Sequence, residues 1–115
     1  MRHDEDTLQM LCVRWFGWQY PEYAPLLHHS PNGGKRNARE AGRFKAMGTK
    51  AGFPDLFLPV ARGNYHGLMV ELKTATGRQS PLQRAWQEAV EAQGYRYAIA
   101  RSVEQFEETV NDYLK

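Results

Sequence analysis

Apolar residues recur at three- and four-residue spacing early in the chain, where Leu8, Leu11, Cys12 and Trp15 would share one face of a helix from Asp4 to about Gly17. Asp4 is placed to cap its start and Gly17 to end it. After Pro21, the run Leu26-Leu27-His28-His29 is a short strand candidate, and Ser30-Pro31-Asn32-Gly33-Gly34 then reads as a turn. A second helix is expected from about Arg36 to Met47 with Gly48 at its end, although its apolar stripe of Ala38, Ala41 and Phe44 is thin. The pattern then shortens. Asp55–Val60 and Gly67–Thr74 read as neighbouring strands, and Arg62-Gly63-Asn64 supplies turn residues for an antiparallel hairpin.

The strongest helix signal runs from Ser80 to about Gln93. Ser80 stands as N-cap, Pro81 occupies the first helical position, and Gln83 falls where a capping box needs it. Leu82, Ala85, Trp86 and Ala89 would line its inner face, and Gly94 stops it. Tyr95–Ala100 follows as a strand. A second box, Ser102 with Gln105, opens a last helix with Val103, Phe106, Val110 and Tyr113 inward. The predicted architecture is an α/β sandwich around a small mixed β-sheet flanked by helices. Its hairpin is antiparallel, and the strand–helix–strand passage from Lys73 to Ala100 is a parallel, right-handed crossover.

The length of 115 residues fits one domain, residues 1–115, and a hydrophobic fraction of 42% allows one modest core. No segment is apolar for long enough to span a bilayer, so no membrane association is expected. The start Met1-Arg2-His3-Asp4-Glu5-Asp6 lacks the apolar run of a signal peptide. Cys12 is the only cysteine, so no internal disulfide forms, and the cytoplasm is the default compartment. The net charge of +2 is less telling than its distribution. Lys35, Arg36, Arg39, Arg43, Lys45 and Lys50 are opposed locally only by Glu40, while Glu104, Glu107, Glu108 and Asp112 make the tail acidic. One basic and one acidic face suit a domain that meets a phosphate backbone on one side, and they also suit a solvated helix surface.

The candidate chemistry lies on the hairpin. Alternation along a strand puts Glu71 and Lys73 on one face and Leu68, Val70 and Leu72 on the other, which is the natural core. Charges in mid-strand are costly unless paired or bound to something. Asp55 opens the preceding strand behind Pro54, and hairpin register brings it beside Glu71. Two carboxylates with an ammonium nearby suit hydrolysis of a phosphodiester, because Mg²⁺ takes one or two protein carboxylates and keeps most of its waters. A cross-strand ion pair on a solvated face is the plain alternative for Glu71 and Lys73.

Pro54-Asp55 followed by Glu71-Leu72-Lys73 resembles the PD-(D/E)xK nuclease motif, and more narrowly the VRR-NUC domain. The likeness extends to Asn32-Gly33-Gly34, to Gly48–Leu56, to Gly67–Lys73 and to Ser80–Trp86, four spaced blocks in order. The resemblance implies a restriction-endonuclease-like fold with an αβββαβ core, Mg²⁺ or Mn²⁺ dependence, and homodimerisation in stand-alone copies. Free-standing members are similar to Holliday-junction resolvases, which implies branched or junction DNA as substrate, in replication or repair. It also implies that Asp55 and Glu71 ligate the metal together with the Leu72 backbone carbonyl, and that Lys73 is the catalytic lysine. Gln83 matches the Gln of a Q-x-x-W element that orients the site, and it also fits the capping box of Ser80. Glu5 resembles an extra acidic ligand of some members, with Asp4 and Asp6 as neighbours that fit as well.

Other residues carry plainer readings. Adjacent strand residues point oppositely, so one of His28 and His29 should be buried and the other exposed. Cys12 and Trp86 sit on apolar stripes and belong to the core. Gly33-Gly34 beside Lys35 could admit a phosphate near the backbone or simply form a turn. Lys35, Arg36, Arg39, Arg43 and Lys50 are the expected DNA contacts. Two other functions stay open: a catalytically idle DNA-binding module of the same fold, and a small protein-interaction domain, which leaves the basic segment unexplained.

Overall fold

The computed structural model describes residues 2–30 and 38–115, with side chains described from residue 5 onward. The turn expected over Pro31–Gly34, and with it Lys35 and Arg36, lies outside the described residues. Helix α1 spans Arg2–Gln19, longer than its pattern suggested. Gly17 does not stop it: the ring contacts of Trp15 and Phe16 with Tyr20 hold the last turn, and Tyr20 N–H still donates to Phe16 O at 2.8 Å. Pro21 ends it, because the residue before a proline is pushed out of the helical region. The buried face is Leu8, Cys12, Trp15 and Phe16, whereas Leu11 is exposed.

The strand expected from Leu26 is a single 3₁₀ turn over Ala24–Leu26, started by Pro25, and only His28–His29 pair as β1. Both histidines are exposed, contrary to the expectation of one buried. At the sheet edge, paired on one side only, this two-residue strand leaves both side chains exposed. Helix α2 covers Ala38–Ala46 with no buried residue. It closes on Gly48, at φ +108°, with the two hydrogen bonds of a Schellman motif, Thr49 N–H to Phe44 O and Gly48 N–H to Lys45 O.

Strands β2 (Leu56–Leu58) and β3 (Leu68–Leu72) form the antiparallel hairpin, with Leu56 opposite Val70 and Leu58 opposite Leu68. Both are shorter than expected, since Pro59 cannot donate to the ladder and Arg62 and Tyr65 pair separately. Helix α3 is Pro81–Ala92, β4 is Arg96–Ala100, and α4 is Val103–Leu114. Strand β4 runs parallel to β3, completing a sheet of order β1-β2-β3-β4. Element order follows αβββαβ with α2 between the first two strands and α4 appended.

The sheet has two unlike faces. Against one lie α1 and α4, joined to it by Cys12, Phe16, Leu56, Leu58, Leu68, Val70, Leu72, Phe106 and Val110. Against the other lies α3, with a smaller cluster of Met69, Val90 and Tyr97 under Phe53, Phe57, Trp86 and Ile99. Full burial of a side chain such as Phe16 or Phe106 contributes about 1.5–3 kcal/mol over leaving it in water. Among the described residues, no helix is long and apolar enough to cross a membrane.

Helix α4 departs from its expected cap. Ser102 Oγ accepts from Gln105 N–H at 3.1 Å, but the Gln105 side chain accepts from Arg101 N–H at 2.7 Å, one residue beyond the cap.

Candidate active site

Of the inner face that the apolar pattern predicted for α3, only Trp86 turns inward. Leu82, Ala85 and Ala89 are exposed, and Gln83, Trp86, Gln87 and Val90 turn toward the sheet. These follow i, i+3, i+4, i+7 spacing, a stripe half apolar and half amide. The reason lies beneath it. Glu71 is 2% exposed on the sheet face under α3, so the helix must present hydrogen-bonding groups there.

Gln83 serves both roles that its position suggested. Its Oε1 accepts from Ser80 N–H at 2.8 Å, completing the capping box, while its Nε2 donates to Glu71 Oε2 at 2.5 Å. A glutamate could cap this helix equally well but could not donate to Glu71. An amide has one end for each task.

Further partners of Glu71 are Lys73, with Nζ 3.9 Å from Glu71 Oε2, and Tyr97, whose hydroxyl donates to Glu71 Oε1 at 3.4 Å. Gln79 extends the network by donating to Tyr97 Oη at 3.4 Å and to Gln87 Oε1 at 2.9 Å. Burial, first, and the neighbouring Asp55 carboxylate push the Glu71 carboxyl up to about 8, against the pull of Lys73. Tyr97 is likewise raised, by its own burial and by Glu71. Among the described residues, no buried side-chain nitrogen or oxygen lacks a partner.

Asp55 stands just before β2 and directly opposite Glu71 by continuation of the hairpin register. Its Oδ2 accepts from Leu72 N–H at 2.7 Å, occupying the ladder position that β2 leaves empty where it ends. The loop that delivers Asp55 is fixed from α3. Gly52 lies at φ +85°, and a Cβ there would sit 2.9 Å from the Leu82 backbone carbon. Trp86 Nε1 donates to Ala51 O at 3.1 Å, and the Phe53 and Trp86 rings meet edge to face at 5.0 Å.

The structure thus brings together Asp55, Glu71, Lys73 and Gln83. It does not add Glu5: among the described residues, no three His, Cys, Asp or Glu side chains group closely enough to hold a metal. Two carboxylates and a strand-end carbonyl nevertheless suit a hard divalent cation that keeps most of its waters. The raised Glu71 carboxyl fits the same group, since a cation would supply the charge that burial and Asp55 leave unbalanced. His29 Nδ1 meets the Asp55 backbone oxygen at 3.0 Å, a contact to the main chain and not to the carboxylate. Cys12 is buried, its thiol pushed up to about 12 by burial, and is unreactive. Arg39, Arg43, Lys45 and Lys50 are all exposed.

Sequence reasoning missed Tyr97, Gln79 and Gln87. The signal for Gln87 was its four-residue step from Gln83. Tyr97 shares the face of Glu71 in the parallel register that pairs Met69 with Tyr97 and Glu71 with Ile99.

A family model described as VRR-NUC domain matches residues 4–104. A solved structure described as "VRR_NUC domain protein" is similar with a TM-score of 0.84 at 32% identity, over 96% of this chain and 87% of that one. No curated protein sequence matches the chain.

Proposed function

The chain belongs to the VRR-NUC domain family, a family of nuclease type, and from that premise we propose that it is a Mg²⁺- or Mn²⁺-dependent endonuclease acting on branched or junction DNA. The observation that carries this reading is the buried Glu71 carboxylate, set opposite Asp55 and touched by Gln83 and Lys73. A structural ion pair needs neither the second carboxylate nor burial under a helix lined with amides. Such an arrangement is costly to the fold unless it binds something.

Asp55, Glu71 and the Leu72 carbonyl would hold the cation, which when bound supplies charge neutralisation and Lewis acidity at the scissile phosphate. Lys73 places its ammonium where negative charge grows on the phosphoryl oxygens. Gln83 and Tyr97 hold Glu71 from two sides, so its oxygens are oriented before the substrate arrives. Arg39, Arg43 and Lys50 meet the phosphate backbone away from the reacting atoms, and the sequence places Lys35 and Arg36 in the same segment.

Two copies acting together complete the proposal. Helix α1 exposes Met10 by 61% and Trp18 by 79%, with Val13 also open to solvent. Asp6 and Arg14 lie four residues either side of Met10. Antiparallel pairing of two α1 helices about Met10 sets Asp6 of each copy against Arg14 of the other, a self-complementary contact. A dimeric mass by light scattering at micromolar concentration is expected, and a monomeric one removes this part of the reading.

The deciding experiment is calorimetric titration with Mn²⁺, alongside cleavage of four-way-junction, flap, single-stranded and duplex DNA. Binding abolished in Asp55→Asn, and cutting of branched DNA that stops in chelator, are the expected results. DNA binding with no cutting under any divalent metal would leave a DNA-binding module of the same fold.

A further inference from the structure

The proposed chemistry depends on Lys73, and strand β3 holds that side chain by one long contact, Nζ to Glu71 Oε2 at 3.9 Å. Strand β3 ends at Leu72, and the last bond to β4 is Lys73 N–H to Ala100 O at 3.0 Å. Beyond it a four-carbon stem carries about 2 kcal/mol of rotamer entropy. The chain next forms a tight turn, Thr74–Gly77, closed by Gly77 N–H donating to Thr74 O at 3.2 Å and to Thr74 Oγ1 at 3.1 Å. That turn lies against the lysine stem: a Cβ at Gly77 would be 3.5 Å from Lys73 Cδ.

Arg101 holds the turn in place. Its Nη1 donates to Thr74 O at 2.8 Å and to Gly77 O at 2.6 Å, so one nitrogen ties both ends of the turn. The backbone of Arg101 is itself anchored, because Gln105 spends its side chain on Arg101 N–H and not on the α4 cap. Resting on the nuclease reading, we propose that Arg101 is the positioning residue for Lys73. It reaches across from the end of β4 to fix the turn that confines the lysine stem, and so keeps the ammonium beside Glu71. Arg101 touches neither Glu71 nor Asp55 and acts through the turn alone.

Two readouts test this, one of them independent of cutting. In the first, the full chain is treated with a limiting amine-acylating reagent and the rate at each lysine is read by mass spectrometry. Arg101→Ala should speed acylation of Lys73 several-fold while Lys45 and Lys50 keep their rates. Arg101→Lys should return part of the protection, since a single nitrogen serves both carbonyls. Gln105→Ala, an exposed change that keeps the chain foldable, should move Lys73 in the same direction by less. In the second, Arg101→Ala should lower the cleavage kcat about tenfold to a hundredfold, the scale of a small misplacement of a reacting group. KM for DNA and metal affinity should hold, and in a Lys73→Ala background the loss should vanish. Unchanged Lys73 acylation in Arg101→Ala and Gln105→Ala overturns the proposal, as does a loss confined to KM or one that adds fully to Lys73→Ala. Wild-type protein that never cuts sinks the nuclease reading, while acylation still decides what Arg101 does.

Discussion

Strand β3 is buried on both sides, yet the two sides are built for different ends. Toward α1 and α4 it presents Leu68, Val70 and Leu72 to a continuous apolar layer with Phe16 and Phe106 at its centre. Toward α3 it presents Met69 and Glu71 to a layer where Val90 and Trp86 alternate with Gln83 and Gln87. The first face is where folding free energy is gained. The second face gives up apolar contact to keep a carboxyl group dry and oriented, at a cost to stability. The contrast teaches that stability and chemistry can share one five-residue strand because side chains alternate.

The sharpest break of that contrast is on the apolar side. Phe106→Ala should destabilise the protein by about 3–5 kcal/mol in urea unfolding, because a fully buried ring leaves a cavity. A cost under about 1 kcal/mol would mean that this layer is not the folding core.

On the α3 side, Lys73→Ala should lower cleavage by about 10²–10³ while metal affinity is kept, since its charge matters most in the transition state. Full activity with Mn²⁺ in a folded variant would remove Lys73 from the chemistry.

Glu71→Gln sharpens the contrast through pH. The Glu71 carboxyl stands at about 8 in the fold against an ordinary 4.5, so between those values the folded state binds more protons than the unfolded one. Stability in chelator should therefore fall as pH rises from 4.5 to 8, and Glu71→Gln should abolish most of that slope. Thermal unfolding across pH with EDTA reads it directly. Equal slopes in both proteins would show that Glu71 carries no such cost, and saturating Mn²⁺ should flatten the wild-type slope.

The smallest effect belongs to α2. With no buried residue in that helix, Arg39→Ala with Arg43→Ala should change stability by no more than about 0.5 kcal/mol per substitution. DNA binding should lose about 0.9 of salt slope for each phosphate contact removed. An unchanged slope would make these arginines surface charge only.

Much of this was readable in the chain. The hairpin, the parallel return through α3, and the Asp55, Glu71 and Lys73 set followed from alternation, turn residues and caps, all of them local signals. What was not legible came from neighbours in space. Leu82 and Ala89 fit an apolar stripe, but the carboxylate beneath α3 rotated the helix toward its amides. Gly17 has the chemistry of a helix stop, yet aromatic packing by Trp15 and Phe16 on Tyr20 carried the helix past it. Leu26 was drawn into a 3₁₀ turn by Pro25. Glu5 could be matched by position along the chain, whereas joining a metal group is a matter of three-dimensional approach, which it does not make.

The double engagement of Gln83 has one more consequence. Its amide accepts from the N-cap N–H at the start of α3 and donates to Glu71, so it joins the two head to tail. The first turn of a helix bears a net partial positive charge. Gln83 therefore works as an extra peptide group stacked on the end of α3, a conductor that carries the helix's field onto the carboxylate, each bond polarising the next. Glutamate at this position would cap the helix and reverse that polarity at the site.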